Sequence, residues 1–178
     1  MFQKLFKLDN IKTIMVEIID LVDENDNVIG EEELVQAHIN KQRHRGSNVI
    51  IFKDKSKKEF LVQRRSENIF SNPLKLCFPG GHLQKGETYL EGAIREIHEE
   101  LFKKSKETLN LKLLFKLKKE TDNDPEFLSI FELIHPGPFN FNKVEVKELL
   151  WLKPGEKLEE FTGTSKLTQE ELMKRNLI

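Results

Sequence analysis

The chain has 178 residues, 33% of them charged, and a formal net charge of −1, which argues against general attraction to nucleic acids or membranes. Its single cysteine, Cys77, excludes an internal disulfide and fits a reducing compartment. The sequence has no apolar run of the length needed for a signal peptide or a membrane span, so we predict one soluble, cytoplasmic domain over residues 1–178.

The chain before residue 80 reads as short strands separated by polar turns, with one helix among them. In order, the predicted elements are a strand at 14–22, its hairpin partner at 28–30, a helix at 31–41, and strands at 48–53 and 59–65. Polar clusters between these strands supply the turns. Leu34, Val35 and Ile39 should lie on one side of the predicted helix. Gly80 and Gly81 then allow the backbone to approach a ligand closely.

The stretch from Thr88 to about Phe102 carries the clearest helix signal. Thr88 is a suitable N-cap, and Glu91 three residues later completes a capping box. Only Gly92 interrupts the run of helix-forming residues, at a cost of about 1 kcal/mol relative to alanine. The apolar stripe of this helix would comprise Leu90, Ala93, Ile94, Ile97 and Leu101.

A second face of this helix is acidic. Glu96, Glu99 and Glu100 fall within roughly 100° of one another, because residues three and four apart are neighbours on a helix. Three like charges repel, and a hard divalent cation such as Mg²⁺ or Mn²⁺ is the physical means of stabilising them. For the glutamates alone, a charged solvent face is the alternative. Gly92 lies one turn earlier on this face, where a side chain would crowd a bound ion.

Three more strands and a final helix are predicted after the acidic helix. They cover residues 109–118, 126–135 and 144–152, the last alone or after a short helix, and then a helix from Thr168 with Glu171 as capping partner. The sum is a mixed sheet with helices on both faces, which places the chain in the α/β class.

Residues 81–103 resemble the Nudix box, G-x5-E-x7-R-E-U-x-E-E-x-G-U, where U is a bulky aliphatic residue. The matching positions are Gly81, Glu87, Arg95, Glu96, Ile97, Glu99 and Glu100. The box glycine falls on Phe102 and the last aliphatic position on Lys103, so the helix is expected to run on to Lys104 or Ser105. The resemblance implies the Nudix α/β/α sandwich over about residues 14–160.

The resemblance also implies metal-dependent hydrolysis of a diphosphate linkage in a small nucleoside diphosphate derivative. Glu96, Glu99 and Glu100, together with the Gly80 carbonyl, would hold Mg²⁺ or Mn²⁺. Arg95 and Glu87 would orient the glutamates. The partner would be a small molecule, not nucleic acid or membrane, and a homodimer stays open. The individual substrate is not named by the sequence.

Residues outside the box are expected to complete the site. In many family members a further glutamate acts as base or extra ligand, and Glu145 is the first candidate here and Glu126 the second. A surface glutamate is the alternative for each. Arginines suit phosphate because guanidinium binds it in a bidentate way, although most strand arginines are surface residues. The candidates are Arg43, Arg45, Arg64 and Arg65.

The N-terminal side of the chain is also similar to type I isopentenyl-diphosphate isomerases, which share the fold. Those enzymes bind a metal through three histidines and two acidic residues outside the box helix. His38 and His44 fall near two of the matching places, and Asp124 or Glu126 would supply acids. His82 would become the third ligand only on a rearranged loop. For each histidine, an ordinary structural role is the alternative.

One feature of the sequence argues against the isomerase alternative, and another argues against a loss of catalysis. The isomerase cysteine is followed by a histidine two residues later, whereas Cys77 precedes Phe78 and Pro79. We therefore expect Cys77 to be a small buried hydrophobe. Nudix-fold domains that only bind ligands usually lose box glutamates, and all of these are present here.

Overall fold

The computed structural model describes residues 16–69, 71–103, 107–120 and 124–178. Eight strands of this part of the chain form one mixed sheet, with α-helices α1 to α3 and a short 3-10 turn at Leu158–Glu160. The strands are β1 Ile18–Val22, β2 Val28–Glu33, β3 His44–Phe52, β4 Phe60–Arg65, β5 Leu76–Cys77, β6 Lys112–Lys119, β7 Glu126–Ile134 and β8 Val146–Leu152. The helices are α1 Leu34–Ile39, α2 Tyr89–Leu101 and α3 Gly163–Lys174.

Strand β3 is the centre of the sheet. Along one edge it pairs in parallel with β7, from His44 opposite Glu126 to Phe52 opposite Ile134. Along its other edge it meets β1 at its first residue and β4 at its last two residues, both antiparallel. The middle of this second edge is therefore left to another segment, which turns out to be the loop before α2.

The sheet separates two apolar cores, one under each long helix. Successive side chains of a strand point to opposite faces. Val49 and Ile51 accordingly pack in the core that contains Ala93 and Ile97 of α2. The intervening residues of β3, Ile50 and Phe52, pack in the other core with Leu172 of α3. This arrangement confirms the predicted α/β/α sandwich.

The predicted helix at 31–41 is too long and its packing face is wrong. Residues 31–33 belong to β2, and α1 covers only Leu34–Ile39. Val35 and Ile39 are 60% and 65% exposed, whereas Ala37 is fully buried. In a helix this short, one small side chain is enough to fill the contact with the sheet. The predicted first strand begins at Ile18, and residues 14 and 15 lie outside the described part of the chain.

The C-terminal helix starts one and a half turns before the predicted residue, Thr168. Its N-cap is Thr162, whose side chain accepts a hydrogen bond from Ser165 N. Thr168 is buried inside α3, where its hydroxyl donates to Thr164 O and accepts from Asn48 Nδ2. The Thr-x-x-Glu pattern thus fell within a helix, where threonine can bond the preceding turn.

Helix α2 ends at Leu101, earlier than expected, and Lys104 and Ser105 lie outside the described residues. Phe102, at the position of the box glycine, has a φ of −123°, so the chain leaves the helix without a left-handed residue. It pairs with Asn140 instead, through Lys103 N to Asn140 O and Asn140 N to Leu101 O. The phenyl ring of Phe102 packs against His135 and Phe139. No helix in the part of the chain that the structure describes is both long and apolar enough to cross a membrane.

Candidate active site

The start of α2 is fixed by the predicted capping box. Thr88 Oγ1 accepts from Glu91 N at 3.3 Å, and Glu91 Oε2 accepts from Thr88 N at 2.9 Å. Ala93, Ile97 and Leu101 are fully buried against the sheet. Leu90 is 44% exposed and Ile94 is half-buried, so the apolar stripe is narrower than predicted. The acidic face of α2 borders this buried stripe, since Glu100 is itself buried, and it lies beside the preceding loop, where Gly80 N donates to Glu100 Oε2.

Residues 79–83, called the glycine loop below, occupy the middle of the free edge of β3. Ser47 N donates to Gly81 O at 2.9 Å, and Val49 N donates to Pro79 O at 2.8 Å. Leu83 N returns a bond to Arg45 O at 3.0 Å. The loop is thus held as a strand would be, and its backbone position is set by the core of the sheet.

Gly80 and Gly81 lack side chains at positions where other atoms closely approach the loop backbone. Gly80 has a φ of +134°, and a Cβ there would lie 2.2 Å from Ser47 O. At Gly81 a Cβ would lie 2.6 Å from the carboxyl carbon of Glu96. The Glu96 carboxylate is therefore packed directly on the glycine backbone. Gly92, expected to leave room for an ion, instead makes room for Leu83, since its Cβ would lie 2.8 Å from Leu83 Cγ.

Arg95 connects the loop to the acidic face. Its Nε and Nη2 bind the two oxygens of Glu87 at 2.7 and 2.9 Å, and Nη2 also donates to His82 O at 2.8 Å. Its Nη1 donates to Glu96 Oε1 at 2.8 Å and to Glu99 Oε2 at 3.3 Å. One guanidinium thus sets the position of three carboxylates and a loop carbonyl.

Glu100 is the most buried of the three glutamates. Its Oε1 accepts from Gln63 Nε2 at 2.6 Å, and its Oε2 accepts from Gly80 N at 2.9 Å. Burial raises the pKa of Glu100 to about 8, and the charge of Glu96 adds to the rise. Burial likewise raises the pKa of Glu96 to about 7, although the charge of Arg95 acts in the opposite direction. A buried and a mostly buried carboxylate, whose charges the protein balances only in part, are a suitable environment for a cation.

The oxygen-only donor set fits a hard divalent ion such as Mg²⁺. The three carboxylates do not converge on one point, however, because Arg95 holds Glu96 and Glu99 while Gln63 and Gly80 hold Glu100. Across the described ranges, the groups of three ligand atoms within 4.8 Å of one another come from His38, His44, His82, Asp124 and Glu126. Metal binding by the α2 glutamates therefore requires some of their hydrogen bonds to be exchanged for coordination.

A cavity of about 860 Å³ lies beside the exposed end of the acidic face. Its lining includes Glu99 and Glu145 with Glu17, His98, Asn142 and Lys103. Glu145 reaches it because Asn142 N bonds Glu100 O at 2.7 Å, which ties the loop before β8 to α2. Asn142 Nδ2 also donates to Glu145 Oε1 at 2.9 Å. Burial raises the pKa of Glu145, and the charge of Glu99 adds to the rise.

The two candidates for the glutamate outside the box are thus separated. Glu145 lies at the cavity with Glu99, whereas Glu126 lies 3.4 Å from His44 Nε2 in another cluster. Sequence reasoning missed Gln63, Asn142 and Glu17. Gln63 carries a signal, since it is a polar side chain within the apolar run of β4, but Glu17 carries none.

Three of the four candidate arginines already have acidic partners. Arg64 binds Glu148 and Glu160, Arg45 binds Asp26, and Arg43 binds Glu120. Arg65 donates to the carbonyl of Ser71 at 3.0 Å. Burial raises the pKa of Glu145, and the positive charge of Arg65 opposes that rise, so Arg65 lies within electrostatic range of Glu145.

Cys77 is buried as predicted. Burial raises the pKa of its thiol to about 11, and the negative charge of Glu100 adds to the rise. The thiolate form is therefore disfavoured at neutral pH, opposite to what a reactive cysteine needs.

Three histidines meet on the far side of the glycine loop. The ring centroids of His38, His44 and His82 lie 4.8 to 5.1 Å apart. His82 joins the other two histidines because the pairing of the glycine loop with β3 brings it opposite Gly46. This pairing depends on Ser47 and Val49, whose backbone bonds no sequence pattern reveals.

Comparison with known protein sequences identifies the same family in a domain match and in individual relatives. The NUDIX domain family matches residues 42–170 of this chain. An uncharacterised Nudix hydrolase of Yersinia pestis is 32% identical over 155 residues, covering 85% of this chain and 82% of that protein. The uncharacterised Nudix hydrolase YfcD of Escherichia coli strain K12 is 32% identical over 164 residues, covering 90% of this chain and 88% of its own length.

Solved structures share the fold. DR0079 of Deinococcus radiodurans has a TM-score of 0.72 at 23% identity and covers 87% of this chain and 98% of its own. The MutT protein of Methanosarcina mazei Go1 has a TM-score of 0.62 at 22% identity and covers 75% of this chain and 95% of its own. The matched family segment contains both the glycine loop and α2.

Proposed function

Because this chain belongs to the Nudix hydrolase family, we propose that it hydrolyses the diphosphate linkage of a nucleoside diphosphate derivative. The observation that best supports this is the pair of carboxylates of Glu100, which is buried, and Glu96, which is mostly buried, set against the glycine loop and only partly balanced by Arg95. Nudix hydrolases generally depend on divalent metal ions, and oxygen ligands favour Mg²⁺, or Mn²⁺, here. A single buried free thiol is compatible with work in the reducing cytoplasm.

The metal ligands in this proposal are Glu96, Glu99 and Glu100 with the Gly80 carbonyl. When bound, the ion supplies charge neutralisation for phosphate oxygens and lowers the pKa of an attacking water. Arg95 sets the positions of the Glu96 and Glu99 oxygens through its two Nη1 bonds. Gln63 and Gly80 keep Glu100 in place on the sheet side through their hydrogen bonds to its two oxygens.

Glu145 is proposed as the general base. It lies at the cavity with Glu99, and its raised pKa brings it nearer to neutral, where a base is most effective. Asn142 holds one oxygen of Glu145 and leaves the other to accept a proton from water. Arg65 is proposed to bind a substrate phosphate. Arg45 and Arg64 bind Asp26, Glu148 and Glu160, so they could bind phosphate only by exchanging these ion pairs.

The direct experiment is a screen of nucleoside diphosphate derivatives with Mg²⁺, in which released phosphate or nucleotide is measured. We expect at least one compound to be turned over and turnover to stop in excess chelator. Full activity in excess chelator would overturn the metal-dependent mechanism. Clear thermal shifts with ligands, but no turnover of any of them, would favour a Nudix-fold domain that binds without catalysis.

The stability of the metal-free protein should fall between about pH 5 and pH 8. Glu96 and Glu100 have pKa values raised to about 7 and about 8 in the folded chain, from an ordinary value near 4.5. Ionisation is thus easier in the unfolded chain, and stability is lost as pH rises through this window. Bound Mg²⁺ offsets that loss, so it should raise the Tm more at pH 8 than at pH 5, as thermal unfolding with and without Mg²⁺ can measure.

The matched control for this experiment is Glu91→Gln. Glu91 is exposed at the start of α2, and its hydrogen bonds to Thr88 lower its pKa. This variant should keep the difference between the two pH values, whereas Glu100→Gln should reduce it. An equal Mg²⁺ effect at pH 5 and pH 8 in the wild-type chain would contradict the assignment.

The histidine cluster is the observation that favours the isomerase alternative, and Cys77 tests it. Because the thiol is buried with a raised pKa, Cys77→Ser should leave diphosphate hydrolysis within a few-fold of wild type. Isopentenyl diphosphate should show no proton exchange at C2 in heavy water. Exchange that is present in the wild-type chain and disappears in Cys77→Ser would replace the hydrolase proposal.

A further inference from the structure

The cavity beside the acidic face of α2 is lined by side chains of both charges. Glu17, Glu99 and Glu145 are its acids, and Lys85 and Lys103 are its lysines. Its volume of about 860 Å³ is typical of pockets that enclose a whole small molecule, so it has room for more than a diphosphate group. The lysines therefore bear on which further groups of a substrate this cavity accepts.

The two lysines differ in whether an acidic side chain already holds them. Lys85 Nζ forms an ion pair with Glu31 Oε2, on strand β2. Lys103 is exposed, and within the described ranges its side chain makes no ion pair and no hydrogen bond, not even with Glu99 four residues earlier. Of these two ammonium groups, that of Lys103 is thus the one available to an anion.

Backbone hydrogen bonds fix the position of Lys103 beside the cavity. Lys103 N donates to Asn140 O at 3.2 Å, and Asn140 N donates to Leu101 O at 2.9 Å. Two residues further on, Asn142 N donates to Glu100 O at 2.7 Å, and Asn142 itself lines the cavity. Because these bonds join the end of α2 to the loop before β8, a ligand has to order only the side chain of Lys103 and not its backbone.

Lys103 stands where the Nudix box has a bulky aliphatic residue. Phe102, at the preceding box glycine, is 3% exposed and packs against His135 and Phe139. Phe102 therefore fills the apolar contact at this end of α2, and Lys103 is left exposed beside the cavity. A contact between Lys103 and a ligand is thus a property of this chain and does not follow from the box pattern.

A second anionic group on a substrate needs a cation of its own in this cavity. Glu99 and Glu145 line the same space and repel an anion that no cation neutralises. An ion held by the α2 glutamates serves the diphosphate linkage that is cleaved. The Lys103 ammonium has three donors for the acceptor oxygens of a phosphate, and hydrogen bonds between charged groups are stronger than neutral ones.

We propose that Lys103 is a specificity residue that binds a phosphomonoester group of the substrate, separate from the diphosphate linkage. The inference rests on the proposed hydrolase function, and it narrows the substrate class to diphosphate compounds that carry an additional phosphate. Lys103 does not touch the reacting atoms in this arrangement. It should therefore contribute to substrate binding and not to the chemical step.

The test compares binding of adenosine 3′,5′-bisphosphate, adenosine 2′,5′-bisphosphate and 5′-AMP to the full chain by titration calorimetry. None of these compounds contains a diphosphate linkage, so binding is measured independently of hydrolysis. We expect at least one bisphosphate to bind more tightly than AMP, and Lys103→Ala to weaken its binding by about 10-fold or more. Lys103→Arg should retain most of the preference, because it keeps the positive charge.

Lys85→Ala is the matched control, because it removes a lysine of the same lining that is already paired with Glu31. It should weaken bisphosphate binding by no more than about 2-fold, since exposed charges contribute little. With a substrate that carries an additional phosphate, Lys103→Ala should raise KM by about 10-fold and leave kcat within about 2-fold of wild type.

Two binding results overturn the proposal. One is equal affinity of the wild-type chain and Lys103→Ala for both bisphosphates, and the other is a wild-type chain that binds neither bisphosphate more tightly than AMP. Bisphosphate binding that depends on Lys103, in a chain that turns over no diphosphate compound, supports the phosphate site and overturns the hydrolase function instead.

Discussion

Glu100→Gln should lower kcat by on the order of 10³-fold or more in the presence of Mg²⁺. The substitution replaces a charged ligand oxygen by a neutral amide at the most buried position of the acidic face. The variant should nevertheless fold, because glutamine has the size of glutamate and its amide can still form hydrogen bonds with Gln63 and Gly80. Steady-state kinetics with a substrate from the screen and a thermal unfolding curve are the two measurements.

The control is a second glutamate-to-glutamine substitution on α2, at Glu91. Glu91→Gln keeps a side chain that can accept from Thr88 N, because glutamine also completes a capping box. It should therefore retain wild-type kcat and a similar Tm. Wild-type activity in Glu100→Gln would refute the role of Glu100, and an equal loss in Glu91→Gln would show that the effect comes from the helix itself.

Gly81→Ala should separate activity from stability. The new methyl group would lie 2.6 to 2.8 Å from the three carboxylate atoms of Glu96, so that carboxylate has to move. The moving group is the flexible end of a side chain, and we expect little change in Tm. A displacement near 1 Å at a catalytic centre is expected to cost about 10²-fold in kcat.

Gly163→Ala is the matched control for this variant. Its Cβ meets no atom within 4 Å, and the residue is the first of α3. Activity should be unchanged, and the Tm should stay the same or rise slightly because alanine favours a helix. If Gly81→Ala keeps wild-type kcat, the close packing of Glu96 on the glycine loop has no catalytic importance.

Local signals in the sequence predicted the elements that depend on local chemistry. The capping box of Thr88 and Glu91 and the acidic face of α2 were readable, because each follows from the spacing of residues along one segment. The α/β/α sandwich was implied by the resemblance of residues 81–103 to the Nudix box. The same logic failed at Thr168, where a capping pattern lies inside a helix. It also failed at α1, where Val35 and Ile39 were expected to pack against the domain but are exposed.

The parts that sequence could not predict depend on contacts between distant segments. The histidine cluster exists because the glycine loop pairs with β3 through backbone atoms, which leave no trace in side-chain patterns. Gln63 meets Glu100 only because β4 lies under α2. The separation of Glu145 from Glu126 likewise follows from the sheet order, since one lies before β8 and the other begins β7.

The parallel pairing of β3 with β7 has a consequence for the order in which the protein folds. Strand β3, which begins at His44, cannot pair with β7 until Glu126 and the residues after it have left the ribosome. Loop closure over so long a stretch is slow, and it comes after the local α2 segment has been synthesised. Until then the apolar residues Val49 to Phe52 lack one neighbour strand. Until β7 has been synthesised, these apolar residues are therefore open to contacts with other chains, which favour aggregation.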